Sequence, residues 1–246
     1  MKIVVLGGGW LLGSMVLRRL TDAGHQAVGA SSNTGVNPLT GEGLDRVLEG
    51  ASVVVDLTNS PSFEDTPQVE LFRTAITNTL RAEQAAGVSH HVAFAVVGTE
   101  RSPQVPHFRA KLAETELIKS SGIPYSLVHA TQMYELLTPV AASFDLDGVL
   151  RVQPVDFQPV AADEVADHLA EVALGHPLND RVDIAGPDRS RMDEFFRTAL
   201  ALRGDPREVV ADPNARCYGT VLTQDALVPA GPAVLGKIRY ANWSNN

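Results

Sequence analysis

The chain has 246 residues, of which 44% are hydrophobic and 20% are charged, a composition ordinary for a soluble globular protein. Its formal net charge of -9 repels phosphate backbones, so we expect no nucleic-acid partner. The single cysteine, Cys217, excludes an internal disulfide and suits a reducing cytoplasm. No apolar run approaches the ~20 residues of a membrane span, and no targeting segment is recognisable, so no membrane partner is expected.

The first half of the chain alternates apolar, β-branched runs with segments of helical spacing. The predicted strands are 2–6, 27–30, 52–57, 91–97 and 124–129. The predicted helices lie between them, at 11–23, 43–49, 66–86 and 108–120. Strands that alternate with helices predict an α/β fold with a doubly wound parallel sheet of the Rossmann type.

After residue 130 the alternation weakens, because prolines interrupt it and the strands become short. We expect a helix beginning at Asp163, a short strand "RVDIAG" and a helix "RMDEFFRTALALRG". We therefore predict a dinucleotide-binding core at 1–130 and a smaller C-terminal lobe at 131–246, with elements that return to the sheet. Such a lobe would cover the carboxyl ends of the strands, where ligands bind in open α/β sheets.

The stretch "VVLGGGWLLGS" has the form of a strand, a glycine turn and a helix start that bind a dinucleotide. Gly7 and Gly13 match the first and last glycines of such a loop, but Trp10 stands where the middle glycine approaches the diphosphate. Trp10 points away from the ligand, occupies its place, or packs in the core beneath the loop. The predicted dinucleotide contacts of this loop are Gly7, Gly9, Trp10, Leu11 and Leu12.

The second strand ends in "GASSNTG", which carries no acidic side chain. An acid at this position usually binds the ribose hydroxyls of NAD. The uncharged Ser31 and Ser32 tolerate a 2′-phosphate, so the sequence favours NADP(H) over NAD as the cofactor. No arginine follows to bind that phosphate, so this preference is weak.

Several segments together resemble the NmrA-like group of atypical short-chain dehydrogenases. They are "MKIVVLGG", "VVVDLTNSPSFED", "AVVGTER", "FRAKLAETELIKSSGIPYSLVHATQMYE" and "QPVAADEVA", in that order. The resemblance implies a Rossmann core, an NADP(H) site at the glycine loop and a substrate cleft under the C-terminal lobe. The group contains quinone and dye reductases as well as redox sensors that bind the dinucleotide without turnover.

The catalytic pattern of that family is altered in this chain. The family serine is replaced by Ala95, and its Tyr-x-x-x-Lys pattern corresponds to "HFRAK", so that His107 stands for the tyrosine and Lys111 is retained. The resemblance implies that Lys111 binds the nicotinamide ribose. Four residues apart on a helix, His107 and Lys111 share one face, where an ammonium lowers the pKa of the imidazole and makes it a candidate acid–base group. The alternative is that both are solvated residues at a helix start.

Two loops complete the predicted site. By resemblance, the loop after the third strand contributes Thr58 and Asn59 to the cofactor, and the loop after the fifth strand forms a substrate wall. The predicted substrate contacts are His129, Gln132, Met133 and Tyr134, of which Met133 and Tyr134 are as well explained as core. His90 and His91 have no third ligand at a recognisable spacing, so no metal site is expected.

Three functions fit these observations. The first is an NADP(H)-dependent reductase of a small organic substrate, namely a quinone, an enone or a carbonyl compound. The second is a cofactor-independent acid–base enzyme, such as an isomerase, dehydratase or cyclase, in which Trp10 closes the old diphosphate site. The third is a non-catalytic dinucleotide sensor. Related proteins often pair through helices of the core, so we also expect a homodimer.

Overall fold

A computed structural model describes residues 1–58 and 68–244 of the chain. The described strands are β1 Lys2–Leu6, β2 Gln26–Ala30, β3 Ala51–Asp56, β4 His90–Val96, β5 Tyr125–Ala130, β6 Asp145–Leu146, β7 Val149–Val152, β8 Asp156–Phe157, β9 Asp180–Ala185, β10 Ser190–Arg191, β11 Glu208–Ala211 and β12 Val234–Leu235. The described helices are α1 Leu11–Asp22, α2 Leu44–Leu48, α3 Gln68–Ala86, α4 Pro106–Ser120, α5 Leu137–Ala142, α6 Ala162–Leu174, α7 Met192–Leu202 and α8 Tyr240–Trp243.

The central sheet has seven strands, in the order β12-β9-β5-β4-β3-β1-β2, and every pair in it is parallel. Strands such as β1, with four of its five residues buried, form because β-branched and aliphatic side chains fill both faces of a covered sheet. The predicted doubly wound Rossmann-type fold is therefore confirmed. The predicted strand bounds agree with the described ones to within about one residue at most ends, as is usual for boundaries read from sequence.

Helices cover both faces of the sheet. On one face α1 and α6 pack against β1 and β3, with Val16 and Leu20 of α1 fully buried. Arg19 of α1 joins these two helices through ion pairs with Asp163 and Asp167 of α6. Helix α6 begins at Ala162, so Asp163 lies in its first turn and not at the predicted start. On the other face α2, α3 and α4 cover β3, β4 and β5.

The C-terminal part of the chain contributes both to the sheet and to a separate hydrophobic core. Strands β9 and β12 extend the sheet beyond β5. Helix α6 covers one face of the sheet, while α5 and α7 pack around Phe157 and Phe196. A Cβ at Gly98, directly after β4, would lie 1.8 Å from the carbonyl oxygen of Ala226. The C-terminal lobe therefore contacts the carboxyl end of the sheet at β4.

Candidate functional site

The glycine loop between β1 and α1 keeps two glycines for geometric reasons. Gly7 has φ of 77°, and a Cβ there would lie 2.7 Å from the carbonyl oxygen of Leu57. A Cβ at Gly13 would lie 2.4 Å from the carbonyl oxygen of Gly7, so only glycine lets α1 sit this close to the loop. At Gly9 a Cβ would make only an ordinary contact with Ser31, 3.8 Å from its Oγ. Gly7 and Gly13, the first and last glycines of the loop, thus retain their packing roles.

Backbone N–H groups are available where α1 begins. The first hydrogen bond of the helix runs from the Ser14 amide to the Trp10 carbonyl oxygen, at 2.9 Å. The amides of Leu11, Leu12 and Gly13 precede this bond and have no intrahelical acceptor. Such amides, at the positive end of the helix dipole, favour a bound anion.

Trp10 occupies the N-cap of α1, and its side chain is exposed. Its exposed fraction is 62%, and the neighbouring Leu11 is 43% exposed. The interpretation that Trp10 packs in the core beneath the loop is therefore wrong. The side chain of Leu12 is buried in the core between α1 and the sheet, which leaves only its amide for a ligand. An exposed indole beside the loop fits both remaining interpretations, in which Trp10 points away from the dinucleotide or occupies its place.

The end of β2 forms a compact polar turn. Ser31 precedes a single 3-10 turn at Ser32–Thr34, and the Ser31 amide donates to the Thr34 hydroxyl at 2.9 Å. Ser31 Oγ lies beside Gly9. Ser32 is exposed. The turn thus presents hydroxyl groups and no carboxylate next to the glycine loop.

Helix α4 places His107 and Lys111 in the protein interior, with exposed fractions of 6% and 4%. The alternative of two solvated residues is therefore wrong. The His107 ring makes an edge contact with the Phe72 ring, with centroids 6.0 Å apart. Burial, aided by the Lys111 ammonium, lowers the pKa of His107 to about 4. At pH 7 His107 is thus a neutral imidazole.

The Lys111 ammonium lies at the carboxyl end of β3. Its Nζ donates to the carbonyl oxygen of Thr58 at 3.0 Å and lies 3.0 Å from Oε2 of Glu114. The same nitrogen is 5.0 Å from the centre of the Phe72 ring. The Thr58 amide in turn donates to Oδ1 of Asp56 at 2.8 Å, which fixes this turn. Asn59, predicted as a cofactor contact, lies outside the described residues.

Sequence reasoning missed a buried set of charged side chains behind Lys111. Glu114 and Asp56 are buried next to it, and deeper in the same layer Nδ1 of His91 lies 2.9 Å from Oε1 of Glu83. Burial opposes the charge of His91, but the Glu83 carboxylate more than offsets this and raises the pKa of the imidazole. One local signal was available, because Lys111 and Glu114 are three residues apart on a helix and therefore neighbours.

Two of the predicted substrate contacts are buried polar groups without a protein partner. His129, in β5, pairs in register with Ala95 of β4, which supplies no hydroxyl. Within the described part of the chain, neither ring nitrogen of His129 and neither amide atom of Gln132 has a hydrogen-bond partner. Burial, aided by Arg181, lowers the pKa of His129 to about 3. Such unsatisfied buried groups are typical of positions that meet a ligand or an ordered water.

The other two predicted substrate contacts are part of the core. The Tyr134 hydroxyl donates to the carbonyl oxygen of Ile238 at 3.0 Å, and its ring contacts those of Tyr240 and Trp243. Met133 packs against the core between the sheet and α6 and bridges to Val160 through the backbone. Packing explains the Tyr134 side chain and part of the half-buried Met133 side chain, and a substrate contact at either residue stays a prediction.

Within residues 1–58 and 68–244, no helix is both long and apolar enough to cross a bilayer. In the same ranges, no three or more His, Cys, Asp or Glu side chains are grouped so as to hold a metal ion.

Comparison with known proteins gives relatives that are distant in sequence. No protein-family profile matches the chain. The chain is 22% identical over 142 residues to the photosystem II assembly factor Ycf39 of Synechocystis sp.. The match covers 52% of this chain and 44% of that protein, so the chain spans less than half of the relative.

Solved structures are similar over most of their length. A nucleoside-diphosphate-sugar epimerase from Staphylococcus aureus is 15% identical, with a TM-score of 0.70 over 87% of this chain and 80% of its own. A UDP-glucose 4-epimerase from Thermus thermophilus, in complex with NAD, is 18% identical, with a TM-score of 0.68 and 92% of both chains covered. The Citrobacter sp. triphenylmethane reductase, in complex with NADP(H), is 18% identical, with a TM-score of 0.64 over 87% of this chain and 80% of its own.

These comparisons confirm the predicted resemblance at the level of the fold. The chain has the Rossmann architecture of NAD(P)-binding epimerases and reductases, with a triphenylmethane reductase among its structural neighbours. Its own residues must then decide which chemistry the site performs, because one fold hosts many functions.

Proposed function

We propose that the chain is an NADP(H)-dependent reductase of a small organic molecule. The observation that carries the proposal is the buried Lys111 ammonium at the carboxyl end of β3, bonded to the Thr58 carbonyl oxygen. A buried ammonium needs a polar partner, and this one lies at the sheet edge where open α/β sheets bind nucleotides. The close-packed Gly7 and Gly13 give the same edge the glycine turn of a dinucleotide site.

The residues present fit a nicotinamide dinucleotide. The amides of Leu11 and Leu12 would hold the diphosphate, with the loop at Gly7 and Gly9 approaching it. Ser31 and Ser32 would face the adenosine ribose, and because neither is acidic they leave room for a 2′-phosphate. Lys111 and Thr58 would hold the nicotinamide ribose. When bound, the cofactor supplies the hydride, while the chain supplies binding, orientation and the proton.

The acid–base groups narrow the range of substrates. His107, with its pKa lowered to about 4, carries a proton in only about one molecule in a thousand at pH 7, so we assign it no proton donation. Ala95 offers no hydroxyl to polarise a carbonyl. A quinone suits such a site better than a simple carbonyl compound, because its reduced oxyanion is stabilised by the aromatic ring. His129 and Gln132, with buried unpartnered polar atoms, are the groups that we expect to contact this substrate.

A titration with NADPH tests this proposal. We expect NADPH to change the fluorescence of Trp10, which lies at the glycine loop, and to be consumed when a quinone is added. Replacing Lys111 by Met should lower kcat/KM about 100-fold, while Lys119→Met, at an exposed position on the same helix, should change it less than about 2-fold. NADPH binding that is absent, or that is unaffected by Lys111→Met, would overturn the proposal.

A second candidate, a cofactor-independent acid–base enzyme, is favoured by the neutral imidazole of His107 next to Lys111, since such a group can accept a proton. It predicts that the native chain does not bind NADPH and that Trp10→Gly restores binding. Binding without turnover, together with capture of a protein partner, would instead indicate a redox sensor. The homodimer and the cytoplasmic location stay predictions, and light scattering of the purified chain tests the first.

A further inference from the structure

Five charged or titratable side chains form a buried cluster between the helices α3 and α4 and the strands β3 and β4. They are Asp56, Glu83, His91, Lys111 and Glu114, and each is less than 10% exposed. Three of them are acids and two are bases, so full ionisation would leave one uncompensated negative charge in the interior. Burying such a charge is unfavourable, and the cluster therefore favours a state in which one acid holds a proton.

Lys111 and Glu114 form the part of the cluster nearest the proposed site. The Lys111 ammonium has three N–H groups. One points to the Thr58 carbonyl oxygen at 3.0 Å, and another meets the Glu114 carboxyl, whose two oxygens lie 3.3 and 3.0 Å from Nζ. Within residues 1–58 and 68–244 the third has no hydrogen-bond acceptor, so it is the one that would face the ribose hydroxyls and the substrate oxygen. The Lys111 ammonium thus donates a hydrogen bond to the Thr58 carbonyl on one side, and on the other side it meets the Glu114 carboxyl, with which it can exchange a proton.

Glu114 is the acid of the cluster whose pKa lies near neutral pH. Burial raises its pKa to about 7, with Lys111 opposing this rise and Asp56 adding to it. Burial also raises the pKa of Glu83, but His91 opposes that rise and binds the carboxylate directly. The buried titratable groups on the elements around the pair are Asp56 on β3, Glu83 on α3, His90 and His91 on β4, His129 on β5, and His107 on α4 itself.

We propose that Lys111 donates the proton that the reduced substrate needs, and that Glu114 is the positioning residue that holds Lys111 and returns the proton to it. This inference rests on the proposed reductase function. It gives the site an acid in place of the serine and tyrosine that the chain lacks. A phenolic oxyanion is a base that a neighbouring ammonium can protonate.

The step conserves atoms and electrons. When bound, the reduced nicotinamide would supply the hydride that converts the quinone to an oxyanion. The Lys111 N–H bond breaks, and its proton passes to that oxygen. The Glu114 O–H bond then breaks, its proton restores the ammonium, and the carboxylate takes up one proton from water after the product leaves.

The activity test compares two acceptors in one variant. Glu114→Gln keeps an oxygen that accepts a hydrogen bond from Lys111 but cannot deliver a proton. We expect kcat with a quinone to fall at least about 10-fold more than kcat with a cationic triphenylmethane dye, which accepts hydride without a proton. Glu114→Asp should recover part of the quinone activity. Glu116→Gln, an exposed glutamate on the same helix, is the matched control and should alter neither rate. Equal losses with both acceptors, or no loss with either, would overturn the inference.

A second test needs no substrate. The chain has only four lysines, Lys2, Lys111, Lys119 and Lys237, so their Nζ resonances can be assigned by substitution. In the native chain, the Lys111 resonance should shift as Glu114 titrates near neutral pH, and Glu114→Gln should abolish that shift while Glu116→Gln leaves it. A Lys111 resonance that ignores Glu114→Gln would overturn the inference. If the native chain consumed NADPH with neither the quinone nor the dye, the proposed function alone would be refuted. The resonance test would still decide whether Lys111 and Glu114 share a proton.

Discussion

The glycine loop and the α4 cluster form opposite ends of the same proposed site, and they are built in different ways. From Gly7 to Ser14 the loop contains no titratable side chain, and its most unusual residue, Trp10, is mostly in solvent. The α4 side instead buries Lys111 and Glu114 in contact with each other. One end depends on how closely backbones approach, and the other on which charges are paired.

This difference indicates which changes each end tolerates. At Gly13 a methyl group would collide with the Gly7 carbonyl, so the residue is constrained by the fold itself. At positions 95 and 107, by contrast, alanine and histidine stand in a well-packed interior without the hydroxyls of the resembled family. Side-chain chemistry can therefore be exchanged at the α4 end while the backbone of the loop is retained.

The largest expected effect is a loss of stability when the pH is lowered, and it should arise from the α4 side of the site and not from the glycine loop. Burial lowers the pKa values of His90 and His107 to about 4 and that of His129 to about 3. Their stabilising contribution is present above pH 6.5 and is lost as the pH falls towards 4, since the unfolded chain binds these protons first. Burial raises the pKa of Glu114 to about 7, so this group acts in the opposite direction between pH 4.5 and 7.

Unfolding should therefore take up about two protons net from these groups between pH 6.5 and 4.5. These four groups alone would lower the free energy of unfolding by about 3 kcal/mol per pH unit in this range, and Glu83, whose pKa is raised as well, opposes them. Urea denaturation at several pH values measures it. Replacing His129 by Asn should reduce the slope by about one proton, whereas His176→Gln, at an exposed position, serves as the control. A slope that His129→Asn leaves unchanged would contradict this assignment of the acid response.

The next effect tests the loop. Gly13→Ala places a methyl group 2.4 Å from the Gly7 carbonyl oxygen, so α1 must move away from the loop. We expect the free energy of unfolding to fall by about 3 kcal/mol, even though alanine favours helix. Gly9→Ala, whose methyl would lie 3.8 Å from Ser31 Oγ, should change it by less than about 0.5 kcal/mol. Equal effects at both positions would show that the loop is looser than described.

How much of each region could be predicted from sequence depends on how far apart the interacting residues lie along the chain. The strands and the glycine loop were predictable because β-branched runs, glycines and helical spacing are local signals. The Lys111–Glu114 pair is local too. Asp56 and His91, however, lie on β3 and β4 and are brought together only by the parallel pairing of these strands, and Glu83 reaches His91 from α3.

Tyr134, for which the sequence leaves both a substrate contact and a core position open, illustrates the same limit in the C-terminal lobe. A tyrosine in the loop after the fifth strand fits a substrate wall, and no local pattern distinguishes it from core. Its hydroxyl donates a hydrogen bond to the Ile238 carbonyl oxygen and its ring packs against Trp243. Both partners lie more than a hundred residues further along the chain. Side chains of this kind are assigned only when such distant partners are known.

A smaller effect is expected at Trp10. Trp10→Gly restores the glycine that lets a backbone approach a diphosphate, and it removes an exposed side chain whose loss leaves no cavity. We expect the Kd for NADPH to decrease about 3- to 10-fold, or about 1 kcal/mol, with the free energy of unfolding nearly unchanged. Isothermal titration calorimetry measures this, with Leu11→Ala, another exposed side chain at the same helix start, as the control. Weaker binding by Trp10→Gly would indicate instead that the indole itself contacts the nucleotide.

The smallest effect is expected at His107, the residue that replaces the family tyrosine. His107 is neutral at pH 7 and packs against the rings of Phe72 and Phe108, with centroids 6.0 and 6.4 Å apart. Phe at this position should preserve those contacts and change kcat/KM by less than about 2-fold, because no proton leaves the imidazole in the proposed reaction. The pH dependence of stability should become shallower by about one proton, which confirms that the imidazole was buried neutral. A loss of kcat that follows a single ionisation would instead place His107 in the chemistry, and the α4 end would then work by base catalysis and not through the Lys111–Glu114 pair.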